Sequence, residues 1–195
     1  MGERAVAPPV SDRPRIVGAS AVLGLLATAA FLFAPVVHGA RATHEWASAP
    51  RVVESLEVVR QRGRLDCGPA LLATLASWSG NHVSLDSVLA LVRVAPTGTS
   101  LAEFARVAAG LGVPGVWYHV PQSRLDDLAT PFVAHLDAGA GLGHFVAVVA
   151  LSGGFAVVAD PARGAWVGGT DRLLAGYSGR AFLLDERLEP GWNRL

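Results

Sequence analysis

The apolar residues of this 195-residue chain change their rhythm once, near residue 112, and that change most narrows the fold class. Before it the period is helical: Leu71, Leu72, Leu75 and Trp78 recur on one side of a segment running from Cys67 to Ser79. Ser84 is placed to cap a second helix, Leu85 to Val92. The capping-box pattern Ser100-x-x-Glu103 opens a third, Leu101 to Ala109, which Gly110 and Gly112 close. After residue 112 come short β-rich runs at Val116–Val120, Phe132–Leu136, His144–Leu151, Phe155–Asp160 and Arg180–Leu184. Gly and Pro signals part them, and one short helix falls around Leu125. Helices first and an antiparallel sheet afterwards predict an α+β domain without internal repeats.

Ahead of that domain, residues 16–40 carry no formal charge and are rich in Leu, Ala, Val and Phe. They are long enough to cross a bilayer as a helix, and no polar stripe marks them as a soluble one. A cleavable signal would have a shorter apolar core, although Ala40-Arg41-Ala42 offers a small-x-small site. The expected organisation is a tail over 1–15, an anchor or signal segment over 16–40 and a linker over 41–52. A domain over 53–186 and a polar tail over 187–195 follow. Arg4, Arg13 and Arg15 favour an inside N-terminus and an extracytoplasmic domain, or a secreted one if the segment is removed; Arg41, Arg51 and Arg60 blunt that bias.

Composition removes several functions. Sixteen basic and sixteen acidic residues cancel, and Arg60-Gln61-Arg62-Gly63-Arg64 is the longest basic run, so nucleic acid is not an expected partner. Every basic residue is arginine, which excludes a Walker A lysine and Schiff-base chemistry. One cysteine allows neither an internal disulfide nor a multi-cysteine zinc site, and the six histidines show no helical ligand pair. No metal or cofactor is expected.

The single cysteine, Cys67, stands where a helix begins, with Asp66 before it and Gly68-Pro69 in the opening turn. A thiol attacks as its thiolate, and the N–H groups and dipole of a helix start favour that form. His144 and Asp160 lie on two runs joined by Ser152-Gly153-Gly154, which read as a β-hairpin. A turn centred near Ser152 makes them cross-strand neighbours, the base and orienting carboxylate a cysteine nucleophile needs. A one-residue slip would part them onto opposite faces. Taken singly, each residue also has a structural reading. Cys67 can be an inert core thiol, His144 a strand-end histidine, Asp160-Pro161 a strand terminator and Gln61 an exposed polar residue. His135 reads as a strand histidine, Asp66 as a carboxylate serving the helix start, and Trp78, Trp117 and Trp166 as core or groove-lining aromatics.

Together the motifs resemble a family. Gln61, four residues, then Asp66-Cys67-Gly68-Pro69-Ala70-Leu71, with Gly80 closing the helix, is similar to the C39 peptidases. These are papain-like cysteine proteases best known as leader-cleaving domains of bacteriocin exporters. Gly143-His144-Phe145-Val146, Asp160-Pro161 and Tyr177-Ser178-Gly179-Arg180-Ala181 resemble the later elements of that family, over about 58–184. The resemblance implies a papain-like fold, with Cys67 as nucleophile, His144 as base and then acid, and Asp160 as orienting carboxylate. Gln61 is then an oxyanion donor, with the Cys67 backbone N–H a natural second one. It implies a bacterial hydrolase acting on a peptide or protein substrate, with leader or double-glycine peptides the family's type and secretion machinery a possible partner. The chain shows neither a transporter bundle nor an ATPase domain, so a free-standing peptidase at the membrane is the expectation. Two alternatives stand beside it: a papain-like acyltransferase of transglutaminase type and a non-catalytic peptide-binding domain.

Overall fold

The structure, a computed structural model, describes residues 53–184 and 193–195. The expected tail, anchor or signal segment and linker over 1–52 lie outside the described residues. Among the described residues no helix is long and apolar enough to cross a membrane.

Helix α1 (Cys67–Trp78) is buried along Cys67 to Ala76. Its alanines, Ala70, Ala73 and Ala76, let neighbours approach on sides the leucines do not cover, so it is a central helix and not an amphipathic surface one. Helix α2 (Leu85–Leu91) begins where Ser84 accepts from the Ser87 N–H, and α3 (Leu101–Gly110) where Ser100 accepts from the Glu103 N–H. Only half of the expected capping box forms. The Glu103 carboxylate turns instead to Arg106 and the Arg93 N–H.

Among the described residues seven strands follow: β1 (Val116–His119), β2 (Phe132–Asp137), β3 (Gly143–Ser152), β4 (Phe155–Asp160), β5 (Gly164–Gly169), β6 (Tyr177–Leu183) and β7 (Asn193–Arg194). They form one sheet in the order β5-β4-β3-β2-β6-β1-β7, with every pairing antiparallel. The helix expected around Leu125 is a 3-10 helix, Gln122–Asp127, and α4 (Thr170–Leu174) precedes β6. Three elements go beyond the sequence reading: α4, β5 and β7. Strand β5 was hidden by Gly164, Gly168 and Gly169, and Asn193–Arg194, expected as tail, pairs with Tyr118 and His119.

Helices α1 to α3 cover one face of the sheet, where Phe104 is fully buried against Trp117, Phe145 and Phe182 at ring separations of 4.9–5.6 Å. The opposite face packs Val146, Val148 and Val158 beneath Leu125 and Leu173. The two cores lie on either side of β3, so consecutive residues at its start serve different faces.

Candidate active site

Cys67 opens α1, only 2 % exposed, with Sγ 3.9 Å from the Gly143 carbonyl oxygen at the start of β3. Asp66 serves the preceding turn: its Oδ2 accepts from the Gly63 N–H at 2.7 Å and caps no helical N–H. Gly68 is required by a close approach, since a Cβ there would lie 2.6 Å from Thr99 Oγ1.

His144 and Asp160 meet, by a route different from the expected one. The β3–β4 turn is centred on Gly153-Gly154, with φ values of 57° and 82° and Ser152 paired to Phe155, one and a half residues beyond Ser152. Continued without interruption, that register would set Asp160 opposite Ala147, on the face away from His144. A bulge at Val149 shifts the pairing to Ala147↔Ala159, so the next pair sets Asp160 opposite Val146, diagonal to His144 and on its face. The His144 Nε2–H then donates to Asp160 Oδ1 at 2.8 Å, with the side chains 18 % and 7 % exposed. The same Oδ1 accepts from the Ala162 N–H at 2.8 Å, which fixes the carboxylate.

The electrostatics follow. Burial is the largest influence on His144 and opposes its charge. The hydrogen bonds with Asp160 and then Cys67, with the charges of both, outweigh it and raise the imidazole to about 9. Burial is also the largest influence on Asp160, pushing it up, yet the bond and charge of His144 hold it below the usual carboxylate range. With Nε2 committed to Asp160, Nδ1 is left for the thiol.

Gln61 sits against the end of β4, its N–H donating to the Pro161 carbonyl at 3.0 Å. The segment that carries it is strapped to α1: the Val59 N–H donates to Thr74 Oγ1 at 2.9 Å, and Trp78 Nε1–H to the Glu57 carbonyl at 3.0 Å. Arg60 adds bonds to the Pro161 and Ala162 carbonyls. The Gln61 carboxamide is turned locally, with Nε2–H donating to the Gly63 carbonyl at 2.9 Å and Oε1 buried without a partner. The two ends of a carboxamide exchange on a half-turn, which would carry the N–H to that buried position.

Two cavities flank the start of β3. Gly143 lines one of about 310 Å³ with Thr99, His135, Asp137, Ser178 and Arg180. His144 lines the other, about 280 Å³, with Asp160, Trp166, Arg172, Leu173 and Val146. Trp166, read as core or groove-lining, belongs to this second wall, and Arg172 stacks over it at 4.7 Å. Trp117 is core. His135 is a strand histidine, as read, but its ring also borders the first cavity. Thr74 and Thr99 were not anticipated; the Gly98-Thr99-Ser100 loop ahead of a cap was the only signal for the second.

The sequence model described as Peptidase C39 family matches residues 55–189. No curated protein matches the sequence. Among solved structures, the peptidase domain of Streptococcus ComA, a bi-functional ABC transporter involved in a quorum-sensing pathway, is 25% identical with a TM-score of 0.60. That match covers 66% of this chain and 96% of the other. A double glycine motif protease from an AMS/PCAT transporter, solved in complex with its leader peptide, is 21% identical with a TM-score of 0.59, covering 71% and 91%. The Streptococcus mutans ComA peptidase domain is 24% identical with a TM-score of 0.52, covering 65% and 96%. At these lower identities the likeness is one of fold.

Proposed function

The chain belongs to the peptidase C39 family, and on that premise we propose that it is a cysteine peptidase in which Cys67, His144, Asp160 and Gln61 carry the chemistry. The observation that carries this reading is His144: its Nε2 is bonded to Asp160 at 2.8 Å, and Asp160 and then Cys67 raise it, against burial, to about 9. An imidazole oriented by a carboxylate and influenced by a thiol is the base that a cysteine nucleophile needs.

In the first half-reaction the Cys67 sulfur forms a bond to the substrate carbonyl carbon, and the carbonyl electrons move to oxygen. The Cys67 backbone N–H and the Gln61 carboxamide, after its half-turn, donate to that oxyanion. Collapse breaks the C–N bond while His144 gives its proton to the leaving amine, leaving a thioester. Water, deprotonated by His144, then attacks the thioester, and the acid and the thiolate leave together. Asp160 stays ionised, holding the ring's orientation and its charge.

Leader peptides with a glycine pair before the scissile bond are the substrates we propose first, and residues 16–40 are proposed to tether the domain at the membrane on its outer side. The engagement of Gln61 Nε2 on Gly63 favours the second reading, a peptide-binding domain that does not turn over. Full-length protein and its Cys67→Ala variant, incubated with double-glycine leader peptides and followed by mass spectrometry, separate the two. Cleavage by the parent alone, with a transient acyl adduct on Cys67, supports the peptidase. Binding by both proteins with cleavage by neither supports the second reading.

A further inference from the structure

The cavity on the Gly143 side of Cys67 has a chemistry of its own, built by His135. On β6 the pairing with β2 shifts after His135↔Arg180, and Gly179 at φ 79° turns Ser178 toward the His135 ring. Ser178 Oγ–H donates to the His135 carbonyl at 2.9 Å, which uses its one proton. The hydroxyl oxygen, 2.7 Å from His135 Nδ1, must therefore accept from an Nδ1–H. Burial first, then Arg180, lowers His135 below its ordinary value, so the ring is neutral. Its Nε2 is thus a bare acceptor. It stands over Gly143, where a Cβ would come within 2.2 Å of it, and no hydrogen bond reaches it among the described residues.

Beside that acceptor the cavity offers Arg180, the cross-strand partner of His135, with no ion pair among the described residues, and Asp137. A carboxylate entering here meets the Nε2 lone pair and Asp137, and a cation meets Arg180. A carboxamide satisfies both sides, giving N–H to Nε2 and taking N–H from the guanidinium. The placement relative to the scissile bond rests on the peptidase reading above. His144 must protonate the leaving amine, so the leaving half lies over the cavity lined by His144 and Trp166. The acyl half then runs past Gly143, on the opposite face of β3.

We propose that the His135–Arg180 cavity selects an asparagine or glutamine side chain among the four residues that precede the scissile bond, with His135 Nε2 accepting its N–H.

The test uses a positional-scanning peptide library on the full chain in two ways: binding to Cys67→Ala protein, and cleavage by the parent. Enrichment of Asn or Gln over Leu of about tenfold at one acyl-side position is expected, the scale of one net hydrogen bond. It should be lost when His135→Leu is added and largely regained with His135→Gln, which restores an acceptor, a rescue that a merely structural role would not give. Ser178→Ala, which frees the ring to place its proton on Nε2, should move the enrichment toward acceptor side chains. Apolar or absent enrichment, or enrichment indifferent to His135→Leu, overturns the proposal whether or not the parent cleaves. Enrichment on Cys67→Ala without any cleavage by the parent leaves the cavity's selectivity standing and sinks the peptidase reading.

Discussion

At the scale of single residues, His144 concentrates the account. Its imidazole is raised to about 9, so the charged ring persists well above neutrality. NMR titration of the full chain should show one histidine near that value, and Asp160→Asn should return it toward the ordinary 6.5 or so. The same shift has a stability consequence. A folded value above the unfolded one gives stabilisation that is complete below about pH 6.5 and is lost as pH rises toward 9. Melting temperature should therefore fall across that window by about 5 °C, and by much less in His144→Ala. On the proposed mechanism, Gln61→Ala should lower kcat by roughly 100- to 1,000-fold while leaving Cys67 alkylation nearly as fast, because it would remove the proposed oxyanion donor and no part of the thiol's partner. The grouping of Cys67, His144 and Asp160 that the proposal uses could be assembled from the sequence because a thiol, an imidazole and a carboxylate are recognisable by type. The half-turn of the Gln61 carboxamide and the tautomer of His135 were not, since each depends on a neighbour fixed by the fold: Gly63 for the first, Ser178 for the second.

At the scale of elements, the site depends on a bulge. The pattern of β3 and β4 is apolar on both faces, so nothing in it marks Val149 as the extra residue, yet that residue returns Asp160 to the face of His144. The expected juxtaposition was right and the expected turn was not. Helix starts were more legible, because Ser84 and Ser100 act through the two or three residues next to them. Strand β5 was missed for a different reason: its glycines lower strand propensity, and Gly164, at φ 88°, is set by a tertiary neighbour, Arg60, that no local pattern shows, while Gly168 makes room for Trp166 within the strand. The strap along α1 offers a test at this scale. Thr74→Val keeps the shape but removes the acceptor for the Val59 N–H. Chemical denaturation should show a loss of about 1–3 kcal/mol, and kcat should fall because the segment that carries Gln61 loosens.

For the folded unit as a whole, one sheet separates two cores and its end carries the site. The sequence disclosed helices before strands but not the order of the strands, since β6 inserts between β2 and β1 by a crossover that no local pattern encodes. Phe104 joins the helical layer to the sheet by contacting Trp117, Phe145 and Phe182 at once. Phe104→Ala should cost about 3–5 kcal/mol in urea unfolding, because three rings cannot all close on the space it leaves.

The central claim is that Cys67 is paired with His144 for nucleophilic attack, and the chain's single thiol makes it directly measurable. The rate of iodoacetamide alkylation of the full-length protein at pH 6 should be at least about tenfold higher in the parent than in His144→Ala, since in the account the His144 imidazole is the base that takes the thiol's proton. Equal rates in the two proteins would contradict the account and leave Cys67 a core thiol on a peptidase fold.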